Sequence, residues 1–250
     1  MKRVIQIFIL LLATAHGFSK CTSSGLHFWP EGATVNANSI FVVEGYATSQ
    51  TIIKGLGTTH RAYLKSDSQT VNLKVQETLV GQYSLTQAIL KPEETLTAGI
   101  TYQLVIENLQ SHNNEAQRYN FSTARMENIN WTVTAQFDTV SPAWVIAPEF
   151  KNDSYQGFGC GPAVNAYFSF SAADNSEILI KTVVKNLATG TEATYYLKPD
   201  SNIIAVGHDM CSGAFSLHNS DLFEVEFSLF DASRNTRPPA RDRIKFKRPT

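Results

Sequence analysis

Leu96-Thr97-Ala98-Gly99-Ile100-Thr101-Tyr102-Gln103-Leu104-Val105-Ile106-Glu107 decides the fold class. Tyr102, Leu104 and Ile106 alternate with Thr101, Gln103 and Glu107, the period of a strand with one buried face. Just ahead, a leucine, a glycine turn and a strand-opening tyrosine stand at the spacing of a tyrosine corner, in which the phenol hydroxyl bonds back to the preceding turn. Both signs point to antiparallel β-structure packed as a sandwich.

The same pattern extends in both directions. Val71, Leu73 and Val75 alternate with Asn72, Lys74 and Gln76, and further strands are expected at Ser39–Tyr46, Arg61–Lys65, Tyr83–Leu90 and Gln117–Thr123. In the second half the candidates are Val164–Phe170, Ile178–Leu187, Glu192–Leu197, Asn202–Val206 and Phe223–Leu229. In the last of these Phe223, Val225, Phe227 and Leu229 form one apolar face. Leu217 and Phe223 repeat the spacing of Leu96 and Tyr102, but phenylalanine has no hydroxyl, so the second half lacks a true corner. No helical period persists over a dozen residues after the N-terminal segment. Short strands at regular spacing predict an all-β chain of two tandem antiparallel sandwiches.

Particular motifs carry a family resemblance. Trp29-Pro30-Glu31-Gly32-Ala33-Thr34-Val35-Asn36-Ala37-Asn38-Ser39-Ile40, the leucine-glycine-tyrosine strand and the closing Tyr119-Asn120-Phe121-Ser122 together resemble the bacterial immunoglobulin-like domains of surface proteins over residues 28 to 124. Phe137-Asp138-Thr139-Val140-Ser141-Pro142 is similar to the opening of such repeats, and Phe230-Asp231-Ala232-Ser233-Arg234-Asn235-Thr236 to their closing turn, with Arg234 departing from the usual glycine. The resemblance implies fold and says nothing of activity. The expected organisation is a signal peptide over 1–17, a leader over 18–25, one immunoglobulin-like sandwich over 26–125, a linker over 126–132 and a second sandwich over 133–248.

Lys2 and Arg3, the apolar run Val4–Ala15 and the small residues before Gly17 match a cleaved secretory signal. No later stretch is long and apolar enough to span a membrane, and the basic ending Ile244-Lys245-Phe246-Lys247-Arg248-Pro249-Thr250 excludes a hydrophobic anchor signal. The expected location is secreted, periplasmic or cell-surface. Cys21 stands where bacterial lipoproteins are acylated, but Lys20 and Phe18 depart from that pattern. Lysine and arginine total 21 against 22 aspartates and glutamates, with no basic stripe, which argues against a nucleic-acid partner.

Three cysteines in an exported chain leave one over. Cys160 and Cys211 are each neighboured by glycine, in Phe158-Gly159-Cys160-Gly161-Pro162 and Gly207-His208-Asp209-Met210-Cys211-Ser212-Gly213, and are read as one disulfide tying loops at one end of the second sandwich. The loop it closes is worth about 4 kcal/mol in the chain-entropy account. His208 and Asp209 beside Cys211, and Tyr155 and Phe158 beside Cys160, make that end a possible ligand surface, together with Trp144.

Catalysis has little support. No nucleophile-elbow or zincin motif occurs, so His208, Asp209 and Ser212 are not read as a catalytic set. Asp138, Asp231 and Asn235 are too sparse for a calcium cage, and three methionines with His16 are too few for a copper carrier. The sequons at Asn120, Asn130 and Asn152 are treated as chance matches. Expected, therefore, is a non-enzymatic module for adhesion, spacing or ligand capture, with no cofactor and an extracellular protein or glycan as partner. A carbohydrate-binding accessory role is the alternative, and less favoured are a periplasmic copper or calcium binder or a hydrolase, for which His208 and Asp209 are the candidate metal ligands or, with Ser212, the candidate nucleophilic set.

Overall fold

The computed structural model describes residues 25–30, 34–109, 117–120, 125–128, 131–136, 146–159, 161–171, 178–231 and 243–250. The first half contains β1 (Gly25–Trp29), β2 (Thr34–Asn36), β3 (Phe41–Tyr46), β4 (Ala62–Lys65), β5 (Thr70–Val80), β6 (Leu85–Pro92), β7 (Thr101–Ile106), β8 (Gln117–Asn120), β9 (Arg125–Asn128) and β10 (Thr132–Gln136). One helical excursion, a 3-10 turn over Ala47–Ser49 running into α1 (Gln50–Gly55), follows β3. Eight strands join in the order β1-β3-β6-β5-β4-β7-β10-β2, and β8 pairs with β9.

β5 turns the corner of this sheet. Its first residues, Thr70–Asn72, pair with β4, whereas Leu73–Val80 pair with β6 across a register shift between Val75 and Glu77. The two layers so formed close over one core, where Phe28 stacks on Phe41 with ring centroids 5.7 Å apart and tilts against Trp131 at 5.9 Å. The Tyr102 hydroxyl accepts the backbone N–H of Thr97 at 2.9 Å and also meets the Gln69 side-chain amide, the contact expected of the corner.

β10 belongs to this half. It runs antiparallel to β7 and parallel to β2, with Val133 and Ala135 buried in the first core. Residues 132 to 136 were expected at the end of a linker and the start of the second sandwich. The apolar face of Val133 and Ala135 is satisfied instead by the layer that carries Tyr102.

The second half contains β11 (Ile146–Phe158), β12 (Gly161–Ser171), β13 (Ile178–Asn186), β14 (Glu192–Leu197), β15 (Ile203–His208), β16 (Leu222–Asp231) and β17 (Ile244–Lys247). They form a three-stranded sheet, β11-β12-β15, and a four-stranded sheet, β14-β13-β16-β17. β11, an outer strand, pairs with β12 through two register shifts. Phe168 of the first sheet meets Phe227 at 5.0 Å and Phe246 at 5.5 Å from the second, both edge-on. Leu217 and Phe223 are fully buried in this core. The turn expected over 232–236 and the opening at 137–142 lie outside the described residues.

A seam of hydrogen bonds joins the halves. Tyr83 and Gly213 exchange backbone bonds at 3.1 and 2.8 Å, and Gln82 donates to Ala214 O at 3.0 Å. Deeper in, the buried Gln87 side chain donates to Tyr196 O at 3.1 Å and accepts Tyr196 N–H at 2.8 Å, meeting both main-chain groups that Tyr196 turns to the outer side of the edge strand β14. Tyr196 and Leu179 pack into the first core.

Candidate functional site

Beside the Gln87 clamp lies a cavity of about 520 Å³, within the range of small-ligand sites. β3 and β6 form one wall, β14 and β15 the other, with Trp29 and Tyr196 among the apolar lining. The polar groups converge on Glu44, which interrupts the apolar run Phe41-Val42-Val43 and points at the junction. Gln87 Nε2 reaches its carboxylate at 3.5 Å.

Glu44 is enclosed by protein atoms yet keeps partial contact with the cavity. That burial pushes its carboxyl up to about 7, while Tyr195 and Gln87 pull it part of the way back. Near neutrality the group therefore holds or releases a proton. Tyr195 Oη lies close to Glu44, but makes no well-formed hydrogen bond, and its own ionisation is pushed up by burial first and by Glu44 second. Trp29 Nε1 likewise has no protein partner. Glu44, Gln87 and Tyr195 thus form one polar cluster at the wall of the cavity.

His208 closes the cavity at the end of β15, and two glycines hold it there. Gly207 has φ +151°, and a Cβ at that position would lie 2.0 Å from Val164 O; one at Gly213 would lie 2.2 Å from His208 Cβ. The His208 ring lies 4.8 Å from that of Tyr83, its Nδ1 bonds to Asp209 O at 2.8 Å, and its Nε2 stands 3.3 Å from Nε2 of His218. Burial, then His208, then Arg248 push the His218 imidazole pKa down.

The residues marked from the sequence separate. His208, only 3% exposed, and Asp209 both line the cavity. Asp209 Oδ1 accepts the backbone N–H groups of Cys211 and Ser212, each at 2.7 Å, so its carboxylate shapes the turn. Tyr155 and Phe158, 53% and 46% exposed, sit with the exposed Phe150 on β11 and do not line the cavity. Trp144 and Cys160 lie outside the described residues, as do His16 and Cys21. Trp29 and Trp131 are buried. Among the described residues no group of three or more His, Cys, Asp or Glu is placed to hold a metal ion, and no helix is long and apolar enough to cross a membrane.

Sequence reading missed Glu44, Gln87 and Tyr83. Only Glu44 had a local signal, a charge inside an apolar strand.

What fold and cavity define is an all-β protein of two sandwich-like halves with a mixed apolar and polar cavity between them. No family model and no curated protein matches the chain. Among solved structures it is similar to the pullulanase of Anoxybacillus sp. LM18-11 complexed with maltotriose, at 9% identity and a TM-score of 0.26 over 84% of this chain and 25% of that one. For the pullulanase of the same organism the values are 11% identity, a TM-score of 0.25, and 82% and 24% of the two chains. The chain therefore spans about a quarter of the length of these structures. Likeness at this level says nothing of activity or ligand.

Proposed function

We propose that this chain is a non-enzymatic extracellular module of two immunoglobulin-like sandwiches that captures a small ligand in the junction cavity. The observation that carries the reading is the cavity itself: about 520 Å³, with Glu44, whose carboxyl burial pushes up to about 7, and Gln87 among an otherwise largely apolar lining. Export with removal of residues 1–17 belongs to the reading, and so does a Cys160–Cys211 bridge. The bridge is supported by the approach of Gly161, next to Cys160, to Met210 O, beside Cys211.

A second reading, carbohydrate binding on an exterior face, is favoured by the exposure of Phe150, Tyr155 and Phe158 on one strand. One titration series separates the two. Soluble oligosaccharides and short peptides are added to isotopically labelled protein, and amide shifts are followed. Shifts clustering at Gln87, Tyr195 and Tyr196, and lost in Glu44→Ala, support cavity capture. Shifts confined to residues 150–158 and lost in Tyr155→Ala replace it with the exterior reading. Robust turnover of a hydrolase substrate panel, abolished by His208→Ala, overturns the non-enzymatic assignment.

A further inference from the structure

His208 lines the cavity, but its pairing with His218 plays no part in the capture reading, and the geometry of the pair is specific. His208 Nδ1 meets a backbone carbonyl, Asp209 O, at 2.8 Å. A carbonyl only accepts, so Nδ1 carries the proton and Nε2 presents its lone pair. This is the tautomer that metal-binding histidines adopt when a main-chain oxygen orients them from behind. The second imidazole places its own Nε2 3.3 Å away. Two imidazole nitrogens at Zn–N distances of about 2.0–2.1 Å in a tetrahedral shell stand about 3.3 Å apart, the same spacing.

Each ring is held from outside the pair. His208 is buried on Tyr83 and locked by the Gly207 and Gly213 contacts. His218 lies between the fully buried Leu217 and an Asn219 in the left-handed region at φ +59°, which turns it outward to solvent. Solvent thus has access to the open side of the pair.

We infer that His208 and His218 form a site for a late first-row divalent cation, Zn(II) in the first instance, with water or an external donor completing the shell. Two neutral imidazoles suit Zn(II), Cu(II) and Ni(II) and disfavour Ca(II) and Mg(II), which take oxygen. In the metal-free pair His218 Nε2–H donates to His208 Nε2. On binding, that proton leaves Nε2 and His218 is protonated at Nδ1 instead, so the imidazole changes tautomer and stays neutral.

The test uses the full chain without an affinity tag, stripped with chelator and titrated with Zn(II). Expected are one equivalent bound, displacement of both His208 and His218 Nε2 resonances in imidazole nitrogen spectra, and the tautomer change at His218. His218→Ala, at an exposed position, is expected to stay folded and to lose about tenfold or more in Zn(II) affinity. Unchanged affinity in His218→Ala, or a wild-type titration that moves neither Nε2 resonance, overturns the site. The wild-type spectra decide the matter even where a variant fails to fold. Zn(II) binding with no ligand found for the cavity, or the reverse, separates this site from the capture reading.

Discussion

Replacing Gln87 with methionine tests whether the halves are held by hydrogen bonding or by apolar contact. The side chain is 1% exposed, so the change leaves shape nearly intact while stripping Tyr196 of both main-chain partners, now bonded at 3.1 and 2.8 Å. Each buried amide or carbonyl left unpaired costs about 1–3 kcal/mol. The adjoining cavity lets water reach at least one of the two, which sets the expected loss at about 2–4 kcal/mol, a large part of a typical margin of about 5–15 kcal/mol. The assay is equilibrium urea unfolding followed by tryptophan fluorescence, to which the buried Trp29 and Trp131 contribute from the first half. Gln82→Met is the control. Gln82 Oε1 accepts Ser216 N–H at 2.7 Å in an exposed setting, so its loss is expected to cost under about 1 kcal/mol. A Gln87→Met variant within about 0.5 kcal/mol of wild type, or one no worse than the control, refutes the clamp.

Glu44→Gln is expected to show a pH-dependent gain. The folded carboxyl titrates near 7 against 4.5 for the free group, so its contribution is fully present below pH 4.5 and is lost as pH rises through 7. At pH 8 the variant should therefore be more stable than wild type by about 2–3 kcal/mol, with little difference at pH 4.5, and equal differences at both pH values contradict the account. Cys160→Ser together with Cys211→Ser should cost the second half about 4 kcal/mol and leave the first half's transition nearly unmoved, read by calorimetry. Tyr102→Phe deprives the Thr97 N–H of its 2.9 Å acceptor and should lower the first half's stability by about 1–2 kcal/mol in urea titration. Gly207→Ala, whose Cβ would lie 2.0 Å from Val164 O, should cost more than about 3 kcal/mol or abolish soluble expression, and a wild-type melting temperature would exclude the close approach.

Legibility followed local periodicity. The Tyr102 corner and the strands around Val71, Thr182 and Phe227 show in sequence because each buries one face, and alternation records that within a few residues. β11 stayed invisible because nearly every described side chain along it, from Glu149 to Phe158, is exposed or half-buried, and its two register shifts break any period. β17 alternates Ile244 and Phe246 with Lys245 and Lys247, too briefly to stand out from a basic tail. β10 was placed one unit too late because Val133 and Ala135 report burial without saying in which core. The cavity was beyond reach for another reason. Gln87 and Tyr196 are 109 residues apart, and nothing in either neighbourhood encodes the other.

β11 has a consequence for how copies of this chain behave in a crowd. As an outer strand it offers unspent main-chain donors and acceptors along one side, a template on which a neighbour's strand could polymerise. The exposed stretch Glu149-Phe150-Lys151-Asn152-Asp153 sets charge along that rim, and the register shifts after Ile146 and Phe150 keep it from lying straight. A second copy seeking to zip on would have to strip water from Lys151 and Asp153 and match a bent edge. The rim thus acts as a guard against runaway ribbon growth, and Lys151→Val with Asp153→Val removes the guard without touching either core.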